Sequence, residues 1–153
     1  AGCGNGYMSK LFSNEVSLSG KIYAIAPDKH FIKILMNEIQ GTNIEAMAGD
    51  ISGPIQLSKS SLDLIYVSAV IHAFSKLQIT GFLNEVKRIL KPGGLLAIVE
   101  IEKKETPFGP PLNRRYSPEE LKEIIGDYDG LAAAVSRNEW RLEPERGQPC
   151  WMD

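Results

Sequence analysis

"FLNEVKRILKPGGLLAIVEI", residues 82–101, sets the pattern from which the rest of the chain is read. Ile79, Phe82, Leu83, Val86, Ile89 and Leu90 recur at spacings of three and four, which draws one apolar stripe along an amphipathic helix. Lys91-Pro92-Gly93-Gly94 stops that helix, because proline removes a donor and clashes with the preceding turn. "LLAIVEI" (95–101) then runs almost without polar residues, the pattern of a strand covered on both faces of a parallel sheet. "LDLIYVSAVI" (62–71) has the same character. Helix, stop and buried strand in this order predict one α/β unit.

Outward from that unit the alternation continues. "YMSKLFSNEV" (7–16) reads as a short helix closed by "SLSG", and "KIYAIAP" (21–27) as a short strand ended by Pro27. "DKHFIKILMNEIQG" (28–41) is a helix with Phe31, Leu35 and Ile39 on one face and Gly41 as its stop. "IEAMAGD" (44–50) is a weaker strand. "SPEELKEII" (117–125) carries a capping box, with Ser117 at N-cap, Pro118 at N1 and Glu120 at N3. The fold class expected from this alternation is α/β with a mainly parallel sheet. The last stretch, residues 126–153, is interrupted by polar residues and prolines, and no strand is predicted there.

Composition narrows the function. The 153 residues carry 17 Lys and Arg against 19 Asp and Glu, a formal net charge of −2. That balance lacks the clustered basic face of a nucleic-acid binder. The pairs Lys87-Arg88 and Arg114-Arg115 are read as solvated faces. Cys3 and Cys150 make a poor disulfide framework, so a reducing, cytoplasmic setting is expected. His30 and His72 supply no zinc cluster. No apolar run is long enough to span a bilayer, so no membrane segment is expected.

The chain opens on "AGCGNG", with Gly2, Gly4 and Gly6 at alternate positions ahead of a helix predicted from about Tyr7. Such a loop lets a ligand approach the backbone, and the helix end adds unpaired N–H groups and a positive dipole. A nucleotide-like ligand or a carboxylate suits it, and a plain tight turn fits the same six residues. In a doubly wound sheet, ligands sit beyond the carboxyl ends of the strands. "IAPD", "AGDIS" and "VSAVIHAF" are the matching strand ends.

These pieces, with "NEVKRILKPGG" the most specific, stand in the order and spacing of the class I S-adenosylmethionine-dependent methyltransferases. The chain most resembles the small-molecule, type 11 branch related to ubiquinone and menaquinone biosynthesis. "KKETPFGPPLNRRYSPEEL" (103–121) is similar to the segment after that branch's fifth strand. The resemblance spans residues 1 to about 125, the expected S-adenosylmethionine-binding core, and leaves 126–153 as a divergent segment of the same domain or a poorly ordered one. Family members carry a helix and a first strand before the glycine loop. The resemblance therefore implies a Rossmann-like, doubly wound sheet of the class I methyltransferase type, without its first strand and with its last strands in doubt. It also implies a sequence truncated at the front that is, as given, a candidate inactive fragment of a methyltransferase parent.

Residue by residue, the resemblance implies that Gly2, Gly4 and Gly6 wrap the methionine part of S-adenosyl-L-methionine. Asp50 would accept from the adenine amino group, with Ile51 as an apolar face, and Ser68 would lie beside the cofactor. The family places an acid on the ribose hydroxyls at the end of its second strand. Here Ala26 stands in that place, and Asp28 either reaches round or caps the next helix. Loss of that contact costs on the order of 1.5–3 kcal/mol of affinity. His72 is the candidate general base, with packing or a helix start as its alternative role. Cys3 is expected to be inert.

The partner expected is a small-molecule methyl acceptor, alongside a homodimer through exposed sheet edges. Two other readings stay open. One is a non-catalytic interaction module descended from a methyltransferase. The other, more distant, is a nicotinamide-dependent oxidoreductase, whose G-x-G-x-x-G spacing is missed by one residue. Two cysteines are too few to hold arsenite.

Overall fold

The computed structural model describes residues 1–16 and 19–126, together with the backbone of 131–136. These fall into two compact units that divide between Asp50 and Ile51.

The first unit is built from α1 (Tyr7–Glu15), β1 (Ile22–Ala26), α2 (Lys29–Glu38) and β2 (Ile44–Ala48). β1 and β2 pair in parallel from Ile22↔Ile44 to Ala26↔Ala48. Two parallel strands need a crossover, and α2 supplies it. Asp28 sets the start of α2, since its side chain accepts from the backbone N–H groups of His30 and Phe31. Ile32, Leu35 and Ile39 then face Ala24, Ala26, Ile44 and Ala46 in one core. The buried stripe is thus 32, 35 and 39, with Phe31 only half-buried at its margin. Small side chains on the strands let the helix lie close, so the unit is sealed by few but fully buried contacts.

The second unit contains β3 (Leu62–Ser68), a 3-10 turn (Ile71–Ala73), α3 (Lys76–Ile89), β4 (Leu90–Ile101), α4 (Pro118–Ile125) and β5 (Leu131–Ser136). Its sheet has the order β3-β4-β5, parallel throughout. β5 corrects the sequence reading, which assigns no strand after residue 125. "LAAAVS" lacks β-branched alternation, yet its backbone pairs with β4 from Leu96↔Leu131 to Ile101↔Ser136. An available neighbouring strand outweighs weak propensity.

α3 follows its predicted stripe, with Ile79, Phe82, Val86 and Ile89 buried. Ser75 caps it in a full capping box with Gln78. Gly81 sits where a Cβ would strike the Ser52 carbonyl, so the segment after Ile51 lies directly on the helix. α3 passes into β4 without an intervening loop. Lys91-Pro92-Gly93-Gly94 bulges out of the ladder between Leu62↔Leu90 and Leu64↔Leu95, rather than preceding the strand. β3 and β4 are each buried on one face. Ile65 and Val67, and Leu96, Ile98 and Glu100, point inward, whereas Leu64 and Leu95 are exposed.

Glu85 and Arg88 fasten residues 55–57 to α3. Glu85 is buried, takes the Ile55 N–H at 2.9 Å and pairs with Arg88, whose guanidinium also donates to the carbonyls of Ile55 and Leu57. The Arg88 guanidinium holds the Glu85 carboxyl below its ordinary range. A depressed carboxyl contributes stability above its unfolded pKa and loses it as pH falls through the folded value. We predict that Glu85→Gln costs about 1–2 kcal/mol at pH 7, a range limited by the partial exposure of Arg88. Its deficit against wild type should shrink as urea melts are taken below about pH 4.3. A deficit independent of pH would refute this account of the pair.

Candidate functional site

In the first unit the predicted cofactor residues gather at the carboxyl ends of β1 and β2. The N–H groups of Gly2 and Cys3 both donate to the Ile25 carbonyl, at 2.8 and 3.0 Å, which pins the glycine loop beside Ala26. The Gly49 N–H donates to the Ala26 carbonyl at 3.0 Å, which brings Asp50 to the same strand ends. Asp50 is exposed.

Gly2, Gly4 and Gly6 have φ of 71°, 48° and 79°, the left-handed region that side chains resist. Gly6 is the N-cap of α1, and a Cβ there would also collide with Leu35. Among the described residues, a Cβ on Gly4 would meet nothing within 4 Å, so that no described group closes the space above it. No side chain caps α1 at Gly6, although Asn5 Oδ1 accepts from the Tyr7 N–H at 3.2 Å.

Cys3 packs against the unit's core, and burial pushes its thiol up in pKa. A thiol kept protonated is a poor nucleophile, in keeping with a backbone role. Ala26 is buried and offers no carboxylate. Asp28 Oδ1 is engaged in the α2 cap, at 2.7 Å from the His30 nitrogen and 3.4 Å from that of Phe31.

In the second unit, Ile51 is buried and Ser68, half-buried, ends β3. Ala69 follows with φ 53°, a strained conformation for alanine, held by its N–H to the Val99 carbonyl at 2.9 Å. That turn delivers His72 to the 3-10 turn. His72 Nδ1 lies 3.0 Å from Glu100 Oε2, and Glu100 Oε1 accepts the Ile71 N–H at 2.6 Å and the His72 N–H at 3.3 Å. The Glu100 side chain is 2% exposed and that of His72 18%. Sequence reasoning missed Glu100. Its signal was available: an acid on the buried phase of an otherwise apolar strand demands a partner.

Arg115 was also misread. Arg114 is exposed as expected, but Arg115 is 5% exposed. Its guanidinium donates to four backbone carbonyls, those of Pro110 (2.7 Å), Lys104 (2.5 Å), Phe108 (3.1 Å) and Glu102 (3.4 Å). It thereby shapes the loop after β4, which lines an open cavity of about 550 Å³ with Phe108, Pro110 and Leu112. Among the described residues no group of three or more His, Cys, Asp or Glu could hold a metal ion, and no helix is long and apolar enough to cross a membrane.

Residues 1–98 match the methyltransferase domain family known as Methyltransf_11. The chain belongs to that family. It is 27% identical over 115 residues to an uncharacterized methyltransferase of Synechocystis sp., covering 72% of this chain and 50% of that protein. Among solved structures, a SAM-dependent methyltransferase from Aquifex aeolicus is 29% identical, with a TM-score of 0.72 over 81% of this chain and 66% of that one. An S-adenosylmethionine-dependent methyltransferase from Mesorhizobium loti, 20% identical with a TM-score of 0.55 over 62% of this chain and 42% of that one, shares the fold. The chain spans about half the length of the curated relative. S-adenosylmethionine is the cofactor that the family match supports, and the Rossmann-like class expected from the sequence is the class of these neighbours.

Arg115→Ala should free four carbonyls and destabilise the protein by about 2–4 kcal/mol. Arg115→Lys should recover only part of this, since an ammonium lacks the planar fork. Limited proteolysis reads both effects, with new cleavage expected within residues 102–111. Unchanged resistance in Arg115→Ala would refute the role given to this side chain.

Proposed function

We propose that this domain transfers a methyl group from S-adenosylmethionine to a small-molecule acceptor. Family membership supports methyl transfer in general. The observation that carries the cofactor reading is the loop of three left-handed glycines, pinned to the Ile25 carbonyl and with no described group closing the space above Gly4. Residues 2–6 would hold the methionine part through backbone groups, and Asp50 would accept from the adenine amino group. The residues present fit such a ligand, with one difference. Ala26 leaves the ribose without the acid that the family resemblance leads one to expect, and Asp28 serves the α2 cap.

Bound there, the cofactor would supply a methyl group on a positively charged sulfur with a good leaving group. The chain's own task is then mainly orientation of the acceptor, and little acid–base help is required. For a phenol or an activated carbon a proton must leave. His72 is the residue proposed to take it. The balanced charge of the chain, with no basic track, favours a small acceptor over a nucleic acid.

Calorimetry with S-adenosylhomocysteine tests the cofactor reading. A micromolar dissociation constant is expected, and Gly4→Val should weaken binding roughly tenfold or more, about 1.4 kcal/mol. Absence of binding by protein that unfolds cooperatively would overturn the proposal. It would favour an interaction module built on the methyltransferase fold.

A further inference from the structure

Glu100 is buried, and its carboxylate is not paired with any Lys or Arg among the described residues. Its partners are the N–H groups of Ile71 and His72, the His72 ring, and a weaker contact of Oε2 with the Ile101 N–H at 3.4 Å. A carboxylate on the inward face of β4, beside Leu96 and Ile98, is costly to bury without compensation. Capping the 3-10 turn would require only Oε1. The second oxygen is aimed at one imidazole nitrogen.

We propose that Glu100 is a positioning residue that holds His72 as the Nδ1–H tautomer, with the Nε2 lone pair left to accept a proton. An ionised carboxylate only accepts, so the nitrogen facing it must donate. In a neutral imidazole the other nitrogen is then the acceptor. No described residue hydrogen-bonds Nε2. A proton gained there makes the ring cationic at 3.0 Å from the carboxylate, so that the charge-assisted hydrogen bond then joins two ions. The bonds to Ile71 and His72 N–H fix the carboxylate at one end and the histidine backbone at the other. The ring therefore has little freedom to turn away. The inference rests on His72 as the proton acceptor proposed above, but the tautomer can be measured without an acceptor or a cofactor.

Glu100→Gln separates this role from capping. The carboxamide oxygen can still accept from Ile71, while its NH2 group faces Nδ1 and donates, which pushes the ring proton to Nε2. Long-range 1H–15N correlation spectra of the neutral rings read the tautomer, with His72→Gln distinguishing His72 from His30. Wild type should show Nδ1–H favoured by roughly tenfold or more, the advantage of a charge-assisted hydrogen bond. Glu100→Gln should invert that preference. A wild-type ring carrying its proton on Nε2, or sharing it evenly, overturns the proposal whether or not the variant folds. So does a folded Glu100→Gln with an unchanged tautomer. Calorimetry with S-adenosylhomocysteine on both proteins keeps the readings apart: equal affinity is expected, and no binding to either refutes the cofactor assignment while the tautomer still decides the role of Glu100.

Discussion

Parallel strands end with backbone groups that no hairpin can satisfy, and the loops beside them must do so. In this protein that requirement organises the candidate residues within each unit. The Ile25 carbonyl takes two N–H groups from the glycine loop, the Ala26 carbonyl takes Gly49, and the Val99 carbonyl takes Ala69. Each of these bonds tethers a loop segment that contains or adjoins a residue proposed for the site: Gly2, Asp50 and Ser68. The left-handed glycines and the strained Ala69 follow from the same demand. At these points the backbone turns within one or two residues so that an N–H reaches the carbonyl of a nearby strand.

Elements whose formation is local were legible in the sequence. The capping box at Ser117 and Glu120 and the α3 stripe need only spacing to be recognised, and both stand where spacing puts them. Asp28 as a cap follows from its place before a periodic run. What escaped depends on distant partners. β5 is a strand because β4 offers a ladder, and nothing in "LAAAVS" announces it. Lys91-Pro92-Gly93-Gly94 looks like a plain stop, but pairing of Leu62 with Leu90 carries the strand through it as a bulge. The full burial expected of β3 and β4 from their apolar runs holds for one face of each.

The site residues divide in the same way. Glycine spacing gave the loop, because a left-handed backbone is a demand on residue type at the position itself. Glu100 and Arg115 were hidden because each is explained by groups far along the chain: Ile71 and His72 for the acid, and carbonyls between residues 102 and 110 for the base. A charged letter beside other charged letters, as in Arg114-Arg115, looks like surface. Only packing separates the exposed member from the buried one.

Glu100 and Arg115 are buried charges of opposite sign that are not hydrogen-bonded to each other. Each is compensated mainly by backbone: N–H groups for the carboxylate, and carbonyls for the guanidinium. A direct ion pair would have satisfied both side chains and left two loops untethered. Shared out as it is, each charge draws a loop into a single conformation, since letting the backbone go would strand a buried ion. Glu100 does this for the turn that bears His72. Arg115 does it for the segment containing Phe108. Fixed backbone around a proposed proton acceptor and around an open cavity suits chemistry that works by orientation. Its cost is that truncating either side chain leaves buried backbone groups without their partner.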